Sequence, residues 1–293
     1  MDSRFPNKFL PYIILSPSIA VVVIFLIIPT IQTFYLSLYQ VSPFGNISIY
    51  KGLSNFVKLF SEWEYLNSLI RTLITTSFIV FVGLTISLGI ALMANLKLKS
   101  SGIYRTALIW PYALSPAAAG TIWLLLFDPS TGAFIYFVSK ITGHMYNWVN
   151  NEAMALTMVT IAATWKMLGY NIIFFLAGLQ NIPKELLEAA DIDGASAFKR
   201  FWRVTFPLLT PTTFFLFVAN SLYGFFEIFG LIDIMTQGGP RKATSILVYK
   251  LYEDGFHHLQ TGFASAQSIV LFIFVAILTG IQFRFAQKLV FYR

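Results

Sequence analysis

Cysteine is absent from this 293-residue chain, and charge is scarce, with 11% of residues Asp, Glu, Lys or Arg against about 25% in a soluble domain. Without cysteine there is no disulfide, thiolate metal site or cysteine nucleophile. Histidine occurs three times, as His144, His257 and His258, all between hydrophobic runs. Two adjacent histidines without further ligands read as solvated loop, and no metal site is expected. No G-x-x-x-x-G-K-[ST] occurs, and GGPRKAT lacks that spacing, so the chain has no P-loop of its own. H-E-x-x-H and G-x-S-x-G are missing too, and no catalytic residue is expected. An internal inverted repeat, the mark of many self-contained secondary transporters, is not found.

What is abundant is apolar surface. The chain is 57% hydrophobic and 17% aromatic, which places it in the integral membrane class before any motif is read. We expect an all-α polytopic protein, with residues 1–293 forming one transmembrane domain with short loops. A span needs about 20 apolar residues. Six windows qualify: Tyr12–Phe34, Thr72–Ala94, Ala107–Phe127, Met154–Leu176, Thr212–Leu231 and Ala264–Phe283. Arg4 and Lys8 precede the first, which lacks a small-residue cleavage signal and reads as a retained span.

Charge sets the expected orientation. With both termini in the cytoplasm, twelve lysines and arginines fall inside (Arg4, Lys8, Lys97, Lys99, Arg105, Lys184, Lys199, Arg200, Arg203, Arg284, Lys288 and Arg293). Six fall outside (Lys51, Lys58, Lys140, Arg241, Lys242 and Lys250), over longer segments. The positive-inside rule favours this arrangement. It also accounts for the net charge of +7 as topology rather than nucleic-acid binding. Arg71, at the outer end of the second window, reads as a snorkelling residue. Pro17, Pro29, Pro111, Pro116, Pro207 and Pro211 lie in or beside the windows. They mark either packing irregularity or helices bent around a solute path.

One stretch is charged where its surroundings are greasy: EAADIDGASAFKRFWRVTFPLLTP, from Glu188 to Pro211. Pro183 suits a first helical turn, and Glu185 and Glu188 sit where the helix dipole favours negative charge. Gly194 suits a left-handed C-cap. A second amphipathic helix is expected after it, with Phe198, Phe201 and Trp202 on one stripe and Lys199, Arg200 and Arg203 off it. Such a helix could lie on anionic lipid or serve as a lever bedded against the membrane domain. Inside the windows, Lys166, Tyr170 and Asn171 fall in the fourth, and Asn220, Tyr223 and Glu227 form a polar stripe in the fifth. Intramembrane charge points to function. Lys166 and Glu227 either neutralise each other or line a solute path with Tyr170, Asn171, Asn220 and Tyr223.

The order of residues in the charged stretch resembles the EAA loop of the permease subunits of binding-protein-dependent ABC importers. The family pattern of Glu-Ala-Ala, a glycine and a closing proline falls on Glu188, Ala189, Ala190, Gly194 and Pro207, with Val204 for Ile and Phe206 for Leu. TQGGPRKAT resembles the outside loop before the last span of carbohydrate-importer permeases, and KFLPYIILSP, Pro111–Gly132, Trp165–Ala195 and AQSIVLFIFVAILTGIQFRF resemble one branch, the first permeases of bacterial sn-glycerol-3-phosphate importers. The resemblance covers essentially the whole chain. It implies a MetI-like fold of six transmembrane helices in the bacterial inner membrane, forming half a pore. It implies residues 182–207 as a cytoplasmic coupling loop, in which Glu188, Ala189, Ala190, Asp193, Gly194 and Pro207 meet an ATPase. The implied partners are a second permease subunit, an ATPase dimer carrying ATP and Mg, an extracytoplasmic solute-binding protein and membrane lipid. This chain would hold no cofactor. The alternatives are a same-family permease for another sugar, a secondary transporter or channel, and a membrane-embedded enzyme.

Overall fold

In a computed structural model the described residues are 9–43, 45–95 and 101–289. Arg4, Lys8, Lys97, Lys99 and Arg293 of the predicted inside charges lie outside them. Five helices are long and apolar enough to cross a membrane: Pro11–Ser37, Trp63–Ala94, Glu152–Gln180, Ala197–Glu227 and Thr261–Gln287. A sixth hydrophobic unit is broken. Thr106–Ala113 and Pro116–Leu126 meet at 105°, within what hydropathy marks as a single window, Ala107–Phe127. Hydropathy is blind to this break, which lies at Pro116. Proline has no amide to continue the ladder, and the Ser115 hydroxyl caps the second half by accepting from the Ala118 amide at 3.1 Å.

Span two begins at Trp63, nine residues before the apolar window. Its polar first turns hold together because Arg71 donates to Glu64 at 2.7 Å, two turns away on the same face. Arg71 is therefore ion-paired rather than simply snorkelling. Span four is the most enclosed, two-thirds of its apolar window being buried. Val80, Leu84 and Ala91 of span two, Ile172, Phe175 and Leu176 of span four, and Leu209 and Leu216 of span five form one apolar core. Lipid is as apolar as leucine, so close packing rather than water exclusion must hold such helices together. Gly169 shows how close it is. A Cβ there would meet the Ile109 carbonyl at 2.9 Å and the Leu108 carbonyl at 3.0 Å, so span three's first half rides directly on span four.

Proline positions explain two of the four wide turns among the described residues. Val23–Ile27 and Phe201–Thr205 are π-helical and lie just before Pro29 and Pro207. The extra residue lets the Phe206 amide reach back to the Phe201 carbonyl, as a proline's missing donor interrupts the ordinary ladder.

By internal packing the chain groups into two units, Met1–Trp63 with Leu251–Ile273, and Glu64–Lys250 with Phe274–Arg293. The first unit holds a small antiparallel hairpin, Tyr39–Val41 paired with Ser48–Tyr50, and a helix, Ser54–Ser61. The Asn55 amide clamps the end of span one by donating to the Ser37 and Tyr39 carbonyls at 2.8 and 3.1 Å. Residues of the 40–58 and 258–263 segments line one cavity of about 620 Å³. These segments therefore share a side of the membrane, and the chain crosses an even number of times between them. Three long helices lie between. The broken pair supplies the fourth crossing, giving six spans in all.

The turn after the broken span is tightly built. One oxygen of Asp128 accepts from the Ser130 hydroxyl at 2.6 Å, the Thr131 amide at 2.8 Å, the Ser130 amide at 2.9 Å and the Thr131 hydroxyl at 3.0 Å. The Ser130 hydroxyl bond, followed by the backbone amides, holds its carboxyl well below the usual carboxylate range. A depressed folded pKa adds stability that is present above the unfolded value and lost only as pH falls through the folded one. Asp128→Ala should accelerate amide exchange at Ser130 and Thr131 at neutral pH. In the parent protein these amides should stay protected to below about pH 4, where a free aspartate protonates. Exchange measured by mass spectrometry checks both.

Candidate functional site

Two places carry the residues singled out in the sequence. The first is the loop between spans four and five. Lys184–Ile192 forms a helix of nine residues with no buried member. Its end is a Schellman cap: the Ala195 amide reaches the Ala190 carbonyl at 3.0 Å and the Gly194 amide reaches Asp191 at 3.1 Å. Gly194 sits at φ +73, and a Cβ there would meet nothing within 4 Å, so glycine is needed for backbone conformation, not space. The Ser196 hydroxyl then caps the next helix by accepting from the Lys199 amide. Glu188, Ala189 and Asp193 are exposed, Ala190 is half-buried, and Ile192 is 86% exposed.

Two features of this loop differ from expectation. Ala197–Arg200 is not a separate amphipathic helix but the beginning of span five, which runs unbroken in direction to Glu227. Pro207 therefore lies inside that span, past the π turn, rather than at its start. Phe198 and Trp202 are 75% and 51% exposed, so the aromatic stripe is not bedded in the membrane domain. Phe198, Phe201, Trp202 and Phe206 instead stack on one another, with successive ring centres 5.1 to 6.3 Å apart. Sequence reasoning also misses an ion pair. Arg200 binds both carboxylate oxygens of Asp191, tying the loop helix to the foot of span five. Their nine-residue separation crosses the glycine turn, so no helical spacing rule reveals it.

The second place is a cavity of about 720 Å³ lined by Tyr112, Pro116, Lys166, Tyr223, Phe226 and Glu227, among others. Lys166, 7% exposed, projects from span four into the break of span three. Its Nζ donates to the Leu114 carbonyl at 2.7 Å and to Tyr112 at 3.4 Å, and lies 5.7 Å from the Tyr112 ring centre. Carbonyls at a helix end lack amide partners and carry the negative end of the dipole. The lysine thus caps the broken helix. It makes no ion pair with Glu227 among the described residues.

Tyr223 and Glu227 bound a π turn, Tyr223–Glu227, closed by the Ile228 amide on the Tyr223 carbonyl at 3.1 Å. The Tyr223 side chain lines the cavity, and its hydroxyl is buried and finds no partner among the described residues. Tyr170 does not line the cavity, but its ring lies 5.0 Å from that of Tyr112, which does. Asn171 and Asn220 are elsewhere. Both are fully buried and exchange amide bonds at 3.1 and 2.7 Å, with Asn220 also donating to Leu216 at 2.8 Å. Their polar groups are spent holding spans four and five together. His258, read as a solvated loop residue, pairs with Asp254 at 3.0 Å.

Comparison with known proteins agrees with this architecture. Residues 83–291 match the family model described as "Binding-protein-dependent transport system inner membrane component". The sn-glycerol-3-phosphate transport system permease protein UgpA of Rhizobium meliloti (strain 1021) is 45% identical over 98% of both chains. That of Agrobacterium fabrum is 46% identical over the same shares. Among solved structures, a bacterial alginate ABC transporter in complex with an alginate pentasaccharide-bound periplasmic protein superposes with a TM-score of 0.82. It covers 96% of this chain and 95% of that one at 21% identity, and so bears on the fold alone. Six spans, one of them broken, an exposed loop helix closed by glycine, and a full-length match together make this chain a member of the binding-protein-dependent transport system inner membrane component family.

Proposed function

We propose that the chain forms half of the membrane pore of an ATP-driven importer of sn-glycerol 3-phosphate. The observation that carries this is the 45% identity over 98% of both chains to permeases of that solute. A second permease would complete the pore, an ATPase pair would supply the energy, and a solute-binding protein would deliver the cargo. Both termini lie in the cytoplasm on this reading, and the Lys184–Ile192 loop, three crossings after the first extracytoplasmic segment, lies there too.

The mechanism is alternating access without any bond change in this chain. The loop helix has no buried residue and a rigid cap, which suits a handle gripped by another polypeptide. The Asp191–Arg200 pair and the continuity of span five into Glu227 join that handle directly to the cavity wall. ATP and the loaded binding protein must both favour the outward-open state, since a ligand shifts an equilibrium only by its differential affinity. At the cavity, Lys166 keeps the broken helix in place.

Reconstitution of the assembled transporter with its binding protein tests this. ATP hydrolysis is expected to rise with sn-glycerol 3-phosphate and not with maltose. Stimulation by maltose alone would replace the cargo; solute uptake driven by a gradient without the ATPase would replace the class.

A further inference from the structure

We infer that the cavity of the first unit is an anion-binding site that takes the phosphate group of the transported solute before it reaches the pore. The inference rests on the phosphate-bearing cargo proposed above. The cavity, about 620 Å³, is built from the turn after the hairpin, the Ser54–Ser61 helix and the start of span six. It has room for a small phosphate ester with water.

Its lining is cationic and has no carboxylate: Lys51 and Lys58 are there, with Gln40, Ser54 and Gln260 as neutral polar groups. Neither lysine has an acidic partner among the described residues. Lys58 is nonetheless held in place. Its Nζ stands 4.4 Å above the Phe263 ring and donates to the Gln260 side-chain oxygen at 3.4 Å. An ammonium group has three donors, and among the described residues only one of them is used and the Gln260 side-chain amide nitrogen has no partner. Ser54 and Lys58 are four residues apart on one face of the helix, whose N-terminus no side chain caps, so its positive end adds to the field. The lining histidine, His258, is held by Asp254. Two unpaired cations, one of them held in place, in a concavity without a carboxylate attract a compact dianion. The concave shape favours a small solute over a protein surface.

The test uses the assembled transporter in nanodiscs, without the binding protein, titrated with sn-glycerol 3-phosphate, inorganic phosphate and glycerol and followed by calorimetry. Saturable binding of sn-glycerol 3-phosphate is expected, with none of glycerol. Binding should weaken about tenfold in Lys51→Gln/Lys58→Gln, the sum of two exposed charge contacts. The double variant should keep the parent's melting temperature. Undiminished binding in the double variant overturns the site, and so does binding of inorganic phosphate without binding of the ester. The same nanodiscs, given loaded binding protein, report ATPase stimulation separately. Stimulation by sn-glycerol 3-phosphate with no binding at the lysines sinks only this site. Ester binding at the lysines with stimulation by maltose alone sinks only the cargo.

Discussion

In Glu188→Lys, uptake is expected to fall at least about a hundredfold while the protein still inserts and assembles in normal amount. Glu188 lies on an exposed helix face and has no ion-pair partner among the described residues, so reversing its charge removes nothing inside the chain. Across an interface the reversal places like charges together, which costs several kcal/mol, and about 2.7 kcal/mol is already a hundredfold. ATPase activity measured in the same preparation should persist but stop responding to loaded binding protein. Normal coupled uptake would remove Glu188 from the contact. Gly194 separates two explanations of the same loop. At φ +73 a β-branched residue costs about 1–2 kcal/mol, whereas asparagine tolerates the left-handed region. Gly194→Val should uncouple uptake and Gly194→Asn should retain most of it. Equal loss in both would mean the glycine is there for close approach of another chain.

Lys166→Met is expected to cripple transport through structure rather than through cargo affinity. The substitution leaves the Leu114 carbonyl without its 2.7 Å donor at a helix break inside the membrane. A carbonyl left without a partner costs about 1–3 kcal/mol where water does not reach it. The melting temperature of the assembled complex should fall and the maximal uptake rate with it. The solute concentration for half-maximal uptake should stay within about twofold, under 0.5 kcal/mol. A variant with unchanged melting temperature and weakened solute binding would show that Lys166 is a solute ligand and not a cap. Tyr223→Phe is the complementary change, since its hydroxyl has no partner to lose.

What is legible in the sequence and what is not follows from the range of the forces involved. Gly194 is legible because the left-handed cap is local: it needs one residue type, four positions past a small apolar run. The core of each span is legible because bilayer thickness imposes a length. The start of span two is not, because the Glu64–Arg71 pair that extends it is polar and hydropathy counts only grease. Lys166 stands out as a charge in a span, yet its partners are backbone carbonyls, which have no signature in side-chain chemistry. Asn171 and Asn220 look like two more members of a polar lining. Only the packing of spans four and five turns them toward each other.

By itself, then, the sequence determined the membrane class, the six hydrophobic segments and the glycine-closed loop, and its motifs pointed to the family. All of these depend on composition, on periodicity, or on contacts within about one helical turn. The tertiary structure decided what no local rule contains: the 105° break in span three, the lysine that caps it, and the ion pair joining the loop helix to span five. It also parted the polar residues into a cavity wall and a buried clasp. The physical reason is that a buried polar group must find a partner wherever the fold brings one, and the identity of that partner is a property of the packing.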